Sequence, residues 1–183
     1  MGQILETSPA RSLSKTVLLF LLFTSSVAVA TDLVDFTIVD RIQFSVPGNW
    51  PVIASKSDAE KTVFAFQIPN KADKGTPDSS NLAIISLFFK DAEAKDTFEK
   101  KASNPENDAQ ERKLVDGWRC YTFSGMQGAT QYVVWDCYGI VGDCGVSVRI
   151  AWPHLPKNPP DYDAQMEAVL SDFLMSVVPS KKQ

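Results

Sequence analysis

A single histidine, His154, stands in 183 residues. A site built from several histidine ligands is therefore excluded, and with it the common catalytic zinc patterns. There is no GxSxG stretch and no phosphate-cradling glycine loop. The calcium-loop pattern is missing as well. Positive charge is also short: 18 basic against 22 acidic side chains leave a formal net charge of −4. With no basic stripe, nucleic acid and anionic membrane surfaces are repelled rather than steered in. These absences predict no catalytic residues, no metal and no cofactor.

The first thirty residues have the pattern of a leader. Arg11 and Lys15 make a positive start, and Val17 to Phe23 form an apolar run too short to span a bilayer comfortably. Ala28-Val29-Ala30 then places small residues where a signal peptidase reads. The expectation is a cleaved secretory signal over residues 1–30, a single domain over 31–183 and a periplasmic or secreted protein with no stable membrane anchor. The alternative is an uncleaved anchor. No cysteine follows the apolar run, so a bacterial lipid anchor is not expected. Ser12-x-x-Lys15 matches a serine–lysine catalytic motif but falls inside this leader. Losing Glu6, Arg11 and Lys15 leaves 16 basic and 21 acidic groups on 153 residues, a net charge of −5. A chain of that length buries roughly 70% of its unfolded surface, enough for a real core.

Three cysteines in an exported chain suggest one disulfide and one remaining thiol. All three lie in the stretch Gly117–Ala151, which reads as an antiparallel meander: Trp118–Phe123, Gln131–Tyr138 and Cys144–Ala151. Gly125 and Gly128 mark its first turn, Gly139 and Gly142 its second. Cys144, Val146, Val148 and Ile150 alternate with Gly145, Ser147 and Arg149, the period of a half-buried strand with Arg149 on the wetter face. A hairpin centred near Val141 would place Cys137 opposite Cys144, which is the favoured pair. Cys120 with Cys137 is the second choice, and three buried thiols the third.

Elsewhere, Asp35–Val39 and Arg41–Val46 alternate as strands, Pro47-Gly48-Asn49 is a turn, and Trp50 returns to the core before a short extended piece. Thr62–Ile68 is a strand closed by Pro69, and Asn70–Ser80 an exposed polar loop. Asn81–Phe89 is apolar on both parities and so reads as a central strand. Asp91–Ala102 switches to a helix with a solvated charged face. Gln110–Val115 reads as an edge strand. A helix from Asp161 to Val177 buries Tyr162, Met166, Val169, Leu170, Phe173, Leu174 and Val177 as one stripe.

Strands, a helix, the meander and a terminal helix make an α+β fold, mostly antiparallel. The pieces FSVPGNW, NLAIISLFF, the helix around Phe98, GWRCYTF and AVLSDFLMSV resemble the PsbP-like group: PsbP, the Ran-binding Mog proteins and the DcrB-type envelope proteins. The likeness runs over residues 33–178. It implies an α/β/α layer sandwich that works by binding or accessory action. The chain departs from the DcrB type in lacking a lipidated cysteine, and no functional residue carries over.

The functional expectation is a non-catalytic exported protein that acts through contact with a protein partner, inhibitor or immunity proteins being one form of it. The competing expectation is a small thiol enzyme using Cys120 with His154 in support.

Overall fold

Turn chemistry and strand alternation produce ten strands and one helix in the residues that the computed structural model describes, namely 32–57, 62–69, 83–90 and 109–181. The strands are β1 (Leu33–Ile38), β2 (Ile42–Pro47), β3 (Val52–Ser57), β4 (Thr62–Ile68), β5 (Ala83–Lys90), β6 (Gln110–Arg112), β7 (Trp118–Gln127), β8 (Thr130–Val141), β9 (Cys144–Pro153) and β10 (Val178–Pro179). The helix is α1 (Tyr162–Ser176). Every pairing among them is antiparallel. Seven strands form one sheet in the order β3-β4-β5-β9-β8-β7-β6, and β1-β2-β10 form a second. The fold is thus α+β and mostly antiparallel. The expected helix over Asp91–Ala102 and the expected loop over Asn70–Ser80 lie outside the described residues.

The meander is the frame of the large sheet. β7 and β8 meet through the two-residue turn Gly128-Ala129, and β8 and β9 through Gly142-Asp143. Gly128 and Gly142 take φ of 60° and 63°, the left-handed region that a tight hairpin needs at its first central residue. The arms run longer than their alternation suggests. Gly125 and Gly139, expected in the turns, sit inside strands opposite Tyr132 and Trp118. Gly139 has a packing reason: a Cβ there would come within 2.7 Å of the Trp118 ring, which lies over it.

That turn position also corrects the expected disulfide. With Gly142-Asp143 at the tip, Cys144 pairs with Val141, while Cys137 faces Val148. The hairpin is centred two residues further along than the Cys137–Cys144 pairing requires, because Ile140 and Val141 continue the strand. Across the other hairpin Cys120 and Cys137 are direct partners, with Cα atoms 4.0 Å apart, and they form the disulfide. Cys144 is a buried free thiol.

One face of the large sheet carries Phe66, Ile68, Ile85, Cys120, Trp135, Cys137, Val146, Val148, Ile150 and Trp152. It shares a single core with Ile38, Ile42, Phe44 and Val46 of the small sheet. The helix completes that core with Tyr162, Met166, Leu170, Phe173 and Leu174, five of the seven residues of the stripe read from the sequence; Val177 is buried just past the helix end, and Val169 is only half-buried. Where the three parts meet, aromatic rings interlock. Phe44 stacks on Phe36 at 5.3 Å and touches Phe173 at 5.6 Å. Such ring pairs add about 0.5–1.5 kcal/mol each beyond the area they bury. At the other end the buried Trp152 donates its indole N–H to Asp163 Oδ1 at 2.7 Å, fastening β9 to the first turn of α1. β10 then runs beside β2, with Val178 opposite Gln43.

Candidate functional site

Cys120 is fully buried and its sulfur is bonded to Cys137. It offers no thiolate, so the structure overturns the thiol reading. His154 is exposed, and its backbone N–H donates to Gln131 O at 2.8 Å. The remaining thiol, Cys144, is 3% exposed, and its pKa is pushed up to about 11, first by burial and then by its hydrogen bond to Asp143. A thiol held protonated in this way is a poor nucleophile.

An apolar surface recess lies elsewhere, between the C-terminal half of α1 and the ends of β1 and β2. It is a groove of about 320 Å³ lined by Leu33, Ser45, Pro47, Trp50, Val169, Asp172, Phe173 and Ser176. Its construction follows from local sequence. Pro47 and Gly48 stop β2, and Trp50 N donates to Pro47 O at 2.9 Å, folding the chain back so that the indole stands beside the strand it has just left. Val169, Phe173 and Ser176 recur at helical spacing, placing them along one side of α1. Phe173 is also packed into the core, so the groove has a rigid apolar floor. Ser176 fastens the helix end to the strand: its hydroxyl accepts from Ser45 N at 3.3 Å and lies 3.2 Å from Ser45 O and 2.7 Å from Phe173 O.

The groove is apolar in its walls and acidic in its charge. Leu33 is 66% exposed beside it, and Val34, next along β1, is exposed as well. Asp172 is exposed and has no hydrogen-bond or ion-pair partner among the described residues, and the half-buried Trp50 indole N–H has none either. Asp35 accepts from the Ser45 hydroxyl at 2.6 Å, adding a second carboxylate nearby. Among the described residues, neither lysine nor arginine lines the groove. Sequence reading anticipated Trp50 as a core aromatic and Val169 as part of the buried stripe. It missed that both stop short of burial, because partial exposure depends on how the small sheet meets the helix.

A second, more polar hollow lies at the opposite end of the small sheet, around the β1–β2 turn, lined by Thr37, Val39, Asp40, Arg41, Gln43, Ser180 and Lys181. Val39 and Asp40 take φ of 47° and 56° there. A β-branched residue in the left-handed region carries strain. The turn is clamped by Arg41, which reaches Asp143 of the β8–β9 turn at 2.7 Å and whose carbonyl accepts from Ser180 N at 2.8 Å. Beside this guanidinium the Asp143 carboxyl is held down to about 2, mainly by the hydrogen bond from Arg41. No group of three or more metal-ligating side chains gathers among the described residues.

No protein-family model matches the chain, and no curated protein matches it in sequence. Solved structures do match it in shape. A mutant form of protein Mog1 superposes with a TM-score of 0.52 at 11% identity, covering 82% of this chain and 97% of that one. The Saccharomyces cerevisiae Ran-binding protein Mog1p gives 0.50 at 11% identity, covering 81% and 95%. A looser likeness, with a TM-score of 0.38, reaches LpqN, involved in cell envelope biogenesis of Mycobacterium tuberculosis. The chain therefore has the fold of Mog1, the PsbP-like fold that its sequence resembles.

Proposed function

We propose that this chain is an exported accessory protein that acts by holding a protein partner and performs no catalysis of its own. The observation that carries this reading is the Trp50–Phe173 groove, an apolar recess whose lining includes a carboxylate, Asp172, and an indole, Trp50, neither with a polar side-chain partner among the described residues. Rigid aromatics with a polar handle are the residues on which protein interfaces concentrate their energy. The oxidation of Cys120 supports the same reading, since it removes the thiol on which the enzymatic alternative depended. The Mog1 likeness adds an analogy only: one of those neighbours is named as a Ran-binding protein, and a shared fold does not transfer a partner.

Export is the second half of the proposal. A disulfide between buried cysteines persists in oxidising compartments and is rare in the cytosol. Together with the leader pattern of residues 1–30, it supports a periplasmic or secreted protein cleaved after Ala30. The proposal extends to the architecture, an α/β/α layer sandwich.

Two measurements test this. Intact mass of the protein recovered from its own compartment, before and after reduction, is expected to begin at Thr31 and to show one disulfide and one thiol. A retained leader with three reduced thiols would remove the export reading. Crosslinking in envelope extract, followed by rebinding of the purified components, is expected to return one saturable protein partner. Turnover of a substrate by the purified chain would sink the accessory reading.

A further inference from the structure

The charge and shape of the groove define what it would hold. It offers about 320 Å³, room for one large side chain but not for a folded element. Its walls are Leu33, Pro47, Trp50 and Val169, and its floor is Phe173, so the group that enters must be apolar. Its charged neighbours are carboxylates: Asp172 in the lining and Asp35 behind Ser45. Asp172 has no cation of its own among the described residues. An exposed carboxylate of this kind, next to apolar surface, attracts a lysine or arginine and repels an acidic segment. The Trp50 N–H, also without a partner, is a donor that a peptide carbonyl would satisfy.

We infer that the groove seats a basic–apolar peptide segment of the partner, with a bulky apolar side chain between Trp50 and Phe173, an adjacent lysine or arginine on Asp172, and a backbone carbonyl on the Trp50 indole. This deepens the protein-binding reading and rests on it. The site is preformed: Phe173 is locked by Phe44 at 5.6 Å, and the helix end is tied to β2 through Ser176 and Ser45. Little ordering is then required on this side of the contact, which favours affinity from a short segment.

The test pans a phage-displayed library of short random peptides on the purified chain and on two variants, Val169→Arg and Asp172→Lys. Asp172 is exposed and Val169 half-buried on α1, and each variant is first checked for an unchanged melting curve. Selected peptides are expected to share a bulky apolar residue beside a lysine or arginine. Val169→Arg should weaken them by at least about tenfold. Asp172→Lys should reverse the charge preference of the selection, and the affinity of native-selected peptides should fall with added salt. Peptides that bind all three proteins equally would overturn the groove assignment while leaving the protein-binding reading intact. Failure to select any peptide, together with failure to crosslink any partner, would overturn both. Binding of the cationic amphiphile dodecyltrimethylammonium to the native chain but not to Val169→Arg, with no peptide selected, would overturn this inference and give the groove to a small molecule.

Discussion

The meander and the small sheet solve one problem in two ways. Each must reverse the chain through backbone with positive φ. The meander does it with Gly128 and Gly142, where the left-handed region is free of steric cost. The small sheet does it with Val39 and Asp40, where it is not. The meander then adds a covalent cross-strand tie between Cys120 and Cys137, whereas the small sheet depends on contacts from elsewhere: Arg41 on Asp143, Ser180 on the Arg41 carbonyl, and β10 beside β2. One region is stabilised from within its own sequence. The other holds its shape because the rest of the chain holds it.

This contrast can be broken or sharpened in four steps. The largest effect is expected in the meander from removing its tie. Replacing Cys120 and Cys137 together by alanine, a closure spanning 17 residues, should cost about 3 kcal/mol in chemical denaturation. Next is Gly128→Ala, which forces a Cβ into the left-handed region although nothing lies within 4 Å of it; the loss should be about 1–2 kcal/mol. The small sheet should respond with the opposite sign. Val39→Asn, a residue that tolerates positive φ, is expected to gain about 1 kcal/mol, seen as a higher midpoint with an unchanged denaturant slope. A loss there would mean that Val39 is not strained in the sense argued.

The smallest effect, read at the mildly alkaline start of a pH series, lies where the two regions touch. The Cys144 pKa is raised from 9.0 to about 11, so the folded state keeps its proton after the unfolded state has released it. The associated stability is complete well below pH 9 and is lost as pH rises through 9 towards 11; at pH 9 the loss is about 0.4 kcal/mol. A melting series across that range should fall more steeply for the native chain than for Cys144→Ala. Equal slopes would place the thiol in a more solvated setting.

Legibility in the sequence follows the same division. β4, α1 with its buried stripe, and the three arms of the meander could be read because periodicity and glycine report local needs. The disulfide is misread: the sequence favours Cys137 with Cys144 and ranks the observed pair, Cys120 with Cys137, second. Either hairpin could supply a pair, and the choice turns on where Gly142 sits in its turn, a shift of two residues. The small sheet left weaker marks. Its two longer strands alternate clearly, but nothing around Val39-Asp40 announces positive φ, and Val178-Pro179 is too short to show a period. The groove was invisible for a further reason. Trp50 and Val169 look like core residues, and only the angle at which sheet and helix meet leaves them partly open.

β2 has one of the first strands of the domain on one side and the last on the other. A chain synthesised from its N-terminus therefore makes β1 and β2 early, and β2 then waits for Val178 and Pro179 until well over a hundred further residues have emerged. Until then Phe44 and Ile42 lack the helix and the closing strand that enclose them. The order of synthesis thus sets a delay before the core can close, and during that delay the growing chain is exposed enough to need protection from its neighbours.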